Sequence, residues 1–585
     1  MTVGAFATLE RPNRGNTLNQ SNICNSFAAK LLLAWPLLAI FAIGQESNSP
    51  GFQPTQEVCQ AALKIDESAL RASIRFLADD LLEGRGPGTD SDELAQLYIS
   101  TQLESMGLEP AGLNSSWIQP VPMLGVTTRN PATFEFASGR PVLSLSYLQD
   151  MIANCGQPLE KISIQDAELV FVGYGIQAPE YEWDDFKGED LRGKVLIMLN
   201  NDPEGDPEGD PESNPNLFAG RKRLYYGRWD YKYASAARQG AAGAIIIHTT
   251  PSAGYPWTVI QTSWTGEEFE LQGGAEPRLK MKAWVTEEAA SKIFTQSGFE
   301  LDAAIASAQH REFKPIHLDG KVSVELEGTV RRKDTGNVIG MIPGSDPKLK
   351  DEYLILMAHH DHLGIAETRD ATGDAIYNGA IDNASGVSAL LAITRAITSL
   401  PARLRRSVLV VAVGAEEQGL LGSAYFAAHP TIDPNRVSAL INIDGINHLG
   451  RTADVHLIGA GKSSLDVIVD RVAQFQSRIV TPDLFPEKGF YYRSDQFSLA
   501  KIGIPGVYIH AGTRVLGKPS GWGEAQLNEW IQSRYHQTSD EYDPAWNLEG
   551  AVEDTQLLFY IACEIANMDK MQTWNTGDEF ESIRR

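Results

Sequence analysis

From residue 337 onward the chain alternates short apolar runs with longer amphipathic ones. NVIGMI, YLILMA, SVLVVAV, VSALINI and GVYI are short, rich in β-branched residues and free of polar alternation. Runs of that kind predict strands buried on both faces, hence a mainly parallel sheet covered by helices. The intervening ASGVSALLAITRAITS, SSLDVIVDRVAQF and AVEDTQLLFYIACEIA carry apolar residues at helical spacing. The predicted fold class is therefore α/β, with a doubly wound, mainly parallel sheet flanked by helices. In such sheets ligands bind just past the carboxyl ends of the strands.

Two earlier stretches have a different texture. Residues 66–110 predict helix in two pieces, ALRASIRFLADDLL and SDELAQLYISTQLESMGL, separated by a Gly/Pro break at GRGPGTD. Ser91 and Asp92 are placed to cap the second piece, and Leu94, Leu97, Tyr98, Ile99 and Leu103 form its expected apolar stripe. Between 168 and 300, AELVFVGYGI, GKVLIMLNN and AIIIHTT predict strands and YASAARQGAAG a small-residue helix, a mixed α+β pattern. The run NDPEGDPEGDPESNP among them can be neither helix nor central strand; it is either a solvated acidic loop or a calcium site.

Composition narrows the function. A length of 585 residues is too great for one core and predicts two to four domains. Lys+Arg 50 against Asp+Glu 75 leaves a net charge of −25, which repels phosphate backbones and anionic headgroups. Neither nucleic acid nor a membrane surface is an expected partner. Basic Arg11, Arg14 and Lys30 precede the apolar run LLLAWPLLAIFAIG at 31–44, which ends on the small residues Ala42 and Gly44. This pattern predicts a secretory signal peptide over residues 1–45, with an uncleaved signal anchor as the alternative. The protein is accordingly expected to be exported, periplasmic or extracellular. Its four cysteines, Cys24, Cys59, Cys155 and Cys563, are too scattered for a zinc knuckle. One disulfide is open to them, with Cys59–Cys155 the expected pair.

Ligand-type residues gather where the strands end. YLILMA runs into His359, His360, Asp361 and His362, SVLVVAVGA into Glu416 and Glu417, and ALINI into Asp444. NGAIDNASG puts Asp382 and Asn383 just before a helix, and SRYHQTSDEYD carries His536. Singly each has an ordinary explanation: a helix cap, a solvated carboxylate, a hydrogen-bonded core histidine. Together they put carboxylates and imidazoles into one apolar-walled cleft, where unpaired charge is strongly unfavourable. Divalent metal satisfies them all. Imidazole with carboxylate favours zinc, with manganese or cobalt as substitutes. Two ions about 3.5–4 Å apart need a bridging carboxylate. Adjacent Glu416 and Glu417 do not normally ligate one ion from the same face, which frees one carboxylate as general base. Asp361, two residues past His359, is placed to orient its imidazole.

The strings AHHDHLG, NGAIDNASGVSALL, GAEEQGLLGS, NIDGIN, RSDQF and RYHQTSDEYD resemble, in order and context, the di-zinc exopeptidase family. That family includes secreted bacterial leucyl aminopeptidases, glutamate carboxypeptidase and the transferrin-receptor ectodomain. The resemblance runs over roughly residues 66–570 and implies the zinc exopeptidase fold. The 168–300 segment, with VGYGI and AARQGAAGAIII, resembles the protease-associated domain that many members carry as an insertion. The implied division is a first catalytic segment at 60–155, a protease-associated domain at 156–315 and the main catalytic segment at 316–575.

By position in that resemblance, His359 matches the first ligand of one zinc, Asp382 the bridging carboxylate and Glu417 a ligand of the second zinc. Asp444 and His536 complete the set, so two zinc ions per chain are implied. Glu416 matches the base that takes a proton from a bridging water, the source of the hydroxide nucleophile, and passes it to the leaving amine. Asp361 matches the carboxylate behind the first histidine, and Tyr535 a tyrosine that stabilises the oxyanion. Family members carry a cis peptide after the bridging aspartate, so Asp382–Asn383 is the candidate bond. Arg493 and Asp495 match a segment lining the substrate pocket; a structural ion pair is the alternative.

The chain departs from the family pattern in one place. His359 and Asp382 are 23 residues apart, more than in compact single-domain members. The extra loop GIAETRDATGDAIY either shapes specificity at the cleft rim or covers the sheet edge. His360 and His362 are not expected as ligands, and His360 should face away from His359 on an extended chain. Trp522 and Trp530, just before His536, either bring aromatic surface to the cleft or pack internally. The implied activity is a di-zinc aminopeptidase removing N-terminal residues from peptides. A carboxypeptidase or dipeptidase would need a cationic clamp, for which Arg493 and Arg534 are available. A non-catalytic ectodomain would show eroded metal positions. Whether a homodimer forms stays open.

Overall fold

The computed structural model describes residues 51–137, 142–203, 217–274 and 276–584. The expected signal peptide at 1–45 and most of the acidic run, with its calcium reading, lie outside the described residues. Among the described residues no helix is long and apolar enough to cross a membrane.

Strand Tyr353–His359 lies between the parallel strands Ser407–Val413 and Val437–Asn442, and Gly506–Ala511 continues parallel beyond the latter. The end of the long strand Ile316–Ile342 closes one side antiparallel to Ser407–Val413. Asp454–Leu457 pairs antiparallel with Gly506–Ala511 on the other. Every residue of Ser407–Val413 and of Val437–Asn442 is buried, which is why these runs lack polar alternation. Successive side chains feed opposite layers. Leu354, Leu356, Val408 and Val410 join a core with helices Glu67–Leu77, Gly386–Thr398 and Glu549–Asn567. Ile355, Met357, Leu409 and Val411 instead meet Phe426 and Leu499 from the opposite side. The sheet is doubly wound, with its carboxyl ends at one rim.

A second module has its own cores. Lys161–Phe171, Val195–Leu199, Gly243–His248 and Met281–Thr286 run parallel, with Met151–Cys155 antiparallel at the edge. Helix Trp229–Arg238 packs on one face, and Glu287–Gln296 with Leu301–Ala308 on the other. The strand Ile316–Ile342 is common to both modules: it pairs with Lys161–Phe171 and Ile118–Arg129 before reaching Ser407–Val413.

Packing corrects several expectations. The second module's core includes Val126, Phe134, Phe136, Cys155 and Leu326, so it begins well before 156 and ends after 315. Strands 133–155 fold with it because their apolar faces meet its sheet rather than the doubly wound one. Helix Asp90–Ser105 is capped by Thr89, whose hydroxyl accepts from the Asp92 N–H, not by Ser91 and Asp92. Those two face inward with Ala95, Ile99 and Leu103, while Leu94 and Leu97 are exposed. Asp92 is drawn in because its carboxylate receives Thr335 Oγ1 and faces His360 Nε2 at 2.9 Å. The Cys59–Cys155 disulfide is not made. Cys59 sits on a helix of the doubly wound module, Cys155 on the edge strand of the other.

Candidate functional site

Three parallel strands deliver donors to one rim. His359 ends Tyr353–His359, Glu416 and Glu417 follow Ser407–Val413, and Asp444 follows Val437–Asn442. Asp382 lies in the irregular turn Ala380–Ser385, whose Asp382–Asn383 peptide is cis. His536 arrives from a distant loop with φ +56°, in the left-handed region.

Asp382 stands at the centre. Its Oδ1 lies 3.3 Å from His359 Nε2, and its Oδ2 lies 3.4 Å from His536 Nε2. His359 Nε2 is also 3.3 Å from Asp444 Oδ1, and His536 Nε2 is 3.0 Å from Glu417 Oε2. Two half-sites thus share one carboxylate: His359 with Asp444, and His536 with Glu417. Ligand atoms of His359, Asp382 and Asp444 all fall within 4.8 Å of one another, spacing a cation can close. His362 joins the second half, its Nδ1 2.6 Å from Glu417 Oε1. His360 turns away to Asp92, as the extended chain requires.

Electrostatics describe a site built for positive charge. Burial opposes ionisation of Asp382, but hydrogen bonds from His359 and His536 outweigh it and hold its carboxyl well below the usual range. Burial likewise opposes charge on His536, yet Glu417 and Asp382 raise the imidazole to about 10. The two imidazoles are the groups that face this shared carboxylate from either side. Metal and proton compete for the same imidazole nitrogens, so this donor set fits divalent ions. Burial drives Glu416 well above the usual carboxyl range, reinforced by the neighbouring charge of Glu417 and opposed by His359.

Asp361 acts differently from the expectation. Its carboxylate accepts the backbone N–H of Glu416 at 3.0 Å and of Glu417 at 3.3 Å. His359 Nδ1 is nearer its backbone carbonyl, at 3.3 Å, than its carboxylate, at 3.8 Å. The residue fixes the Glu416–Glu417 turn first and braces His359 second.

Further positioning groups escaped the sequence reading. Asp540 receives the N–H groups of Ile381 and Asp382, both at 3.1 Å. Asn383 Oδ1 accepts from Gly386 and Gly445, and its Nδ2 donates to the carbonyls of His359 and Ile443. It ties three strand-end segments together. A Cβ on Gly386 would lie 2.0 Å from Asn383 Oδ1 and 2.7 Å from the Ile443 carbonyl, so only glycine fits there. Ser263, from the second module, places its Oγ 2.7 Å from His536 Nδ1. Asn383 and Asp540 lie inside motifs already singled out; nothing local marks Ser263.

Asp382, Glu416, Glu417, Asp444 and His536 floor a cleft of about 210 Å³ with apolar walls from Leu449, Phe490, Leu527, Trp530 and Ile531. Tyr535 lines it, its ring centroid 3.9 Å from that of His536. Arg493 reaches the cleft but is already engaged, donating to the Ala253 carbonyl at 2.7 Å and lying over the Tyr255 ring. Asp495 does not line it; the residue is buried behind Glu416, where burial raises its carboxyl to about 7. It lacks the exposure a substrate contact needs, and forms no ion pair with Arg493 because that side chain turns outward to the other module. Arg534 lies apart, in an exposed groove with Asp370. Trp530 faces the cleft, whereas Trp522 lies beneath Lys518. The extra loop docks on the segment after His536, through Thr538 Oγ1 to Asp370 Oδ2 at 2.6 Å.

Residues 337–560 match the model of Peptidase family M28. The chain is 31% identical over 108 residues to a probable zinc metalloprotease of Leptosphaeria maculans, covering 18% of this chain and 23% of that protein. It is 32% identical over 130 residues to aminopeptidase NAALADL1 of Mus musculus, covering 21% of this chain and 15% of the relative. These alignments therefore span under a quarter of either relative. Among solved structures, an aminopeptidase from Aneurinibacillus sp. strain AM-1 shares the fold with a TM-score of 0.50 at 18% identity. That superposition covers 88% of this chain and 97% of the other.

Proposed function

Residues 337–560 belong to peptidase family M28, and on that premise we propose that the protein is a zinc exopeptidase, specifically an exported di-zinc aminopeptidase acting on peptides. The observation that carries this reading is Asp382, whose two oxygens face His359 and His536 separately. His359 with Asp444 would hold one zinc, Glu417 with His536 the other, and Asp382 both; manganese or cobalt are substitutes. Bound there, the ions would polarise the scissile carbonyl and lower the pKa of the attacking water.

The remaining work falls to the chain. Glu416 takes the water's proton and hands it to the leaving amine. Its burial keeps its carboxylate basic enough for that transfer. Asp361 holds the Glu416 backbone so that the carboxylate faces the cleft. The Tyr535 hydroxyl is the proposed donor to the developing oxyanion. The apolar walls accept the side chain of the terminal residue and exclude water. We read residues 1–45 as the export signal and the second module as a protease-associated domain, with periplasmic or extracellular peptides as substrates.

One observation favours a second reading, a carboxypeptidase or dipeptidase: the Arg493 guanidinium reaches the cleft and offers a cation for a terminal carboxylate. The zinc-loaded protein, given one apolar peptide as free amine and as N-acetyl derivative, separates the two. Release of the first residue from the free-amine form alone is expected. Cleavage of the acetylated form from its carboxyl end would assign a carboxypeptidase.

A further inference from the structure

The two half-sites differ in what stands behind their imidazoles. His359 Nδ1 meets Asp361, two residues along its own strand end. His536 Nδ1 meets Ser263, 273 residues away and in the other module. We propose that Ser263 is a positioning residue for His536, so that docking of the second module sets the affinity of one metal half-site. The inference rests on the metal-binding part of the function proposed above.

The chemistry is directional. An imidazole that binds a cation through Nε2 keeps its proton on Nδ1, and that N–H needs an acceptor to fix the tautomer and ring plane. Ser263 Oγ is the acceptor in range, and its own hydrogen remains free to turn elsewhere. The need is greater at His536 because it stands in a turn with φ +56°, where no strand ladder holds its backbone. His359, at the end of a regular strand, has no such problem.

Ser263 is also held firmly enough to do this. It ends helix Trp257–Ser263, which is anchored by Trp257 Nε1 and Gln261 Nε2, both donating to the Leu148 carbonyl. The module carrying that helix is pinned to the catalytic one on both sides. Phe269 N–H donates to Gln418 Oε1 at 3.0 Å, directly after the Glu416–Glu417 pair. Arg493 donates to the Ala253 carbonyl, and Arg223 to the Glu487 carbonyl at 3.1 Å. The hydroxyl therefore stands on a docked, hydrogen-bonded surface.

The test is zinc binding, measured with the full chain in buffers of graded free zinc and read as ions retained per chain. Wild type should retain two. Ser263→Ala should weaken one ion roughly 10–100-fold and leave the other unchanged. Ser263→Thr keeps the oxygen and should return the weakened ion to near the wild-type value. Retention of both ions by Ser263→Ala at wild-type affinity would overturn the role of Ser263 while leaving the function intact. So would an equal loss in Ser263→Thr, which would trace the effect to packing, or a loss at both ions together. A wild-type chain that never takes a second ion would instead overturn the di-zinc reading itself.

Discussion

The two modules approach the same cleft with different materials. The catalytic module supplies every donor around Asp382, and all but His536 lie within a few residues of a buried strand or are clamped by a buried polar group such as Asn383 or Asp540. The second module supplies Tyr255, Ser263 and Glu268, which come from short helices, a turn and a half-buried strand. Reacting groups thus stand on elements whose unfolding would cost the whole core, while groups that shape and tune the cleft stand on a docked surface. Substitutions in the first should erase chemistry; substitutions in the second should adjust it.

The sharpest break is Asp382→Ala, which removes the shared carboxylate. Metal analysis should find both ions lost and peptide hydrolysis undetectable. Glu416→Gln should be next, with turnover down about 10²–10⁴-fold while both ions stay bound. Normal turnover in that variant would remove Glu416 from the mechanism. Gly386→Ala tests the clamp rather than the chemistry. Alanine usually stabilises a helix by about 1 kcal/mol, but here its Cβ strikes Asn383, so a net loss of about 1–3 kcal/mol is expected in denaturant unfolding.

Across the cleft the effects should shrink. Tyr255→Ala should lower kcat/KM about tenfold, mainly through KM, with metal content unchanged. Glu268→Gln gives the smallest effect and is pH-dependent. Burial raises the Glu268 carboxyl from 4.5 to about 7, with Lys282 opposing. The unfolded chain therefore ionises first as pH rises, and folding is penalised progressively until the folded-state value is passed. A neutral glutamine should raise the melting temperature by on the order of 2–4 °C at pH 8 and leave it unchanged below pH 4.5. A gain at both pH values would mean that packing, not charge, is responsible.

The same division explains what was legible in the chain. Apolar strand runs ending in His359, Glu416–Glu417 and Asp444 are local patterns, and strand order brings them to one rim without further information. The inward faces of helix Asp90–Ser105 were misread because Asp92 is buried by partners at Thr335 and His360, far away in sequence. The disulfide failed for the same reason: proximity of two cysteines across modules is a tertiary fact. Ser263 is the extreme case, an ordinary serine whose importance exists only after the modules dock.

That docking rests on one more feature. Residues 316–342 form a single strand hydrogen-bonded to both modules, so the walls of the cleft share a beam instead of hanging on a flexible linker. Jaw-like rotation would have to break ladder bonds along that beam, so the spacing of the two walls is tied to the sheet itself. On the function proposed above, a mouth walled in this way would select by girth, favouring a frayed chain end over a folded loop, which must enter doubled.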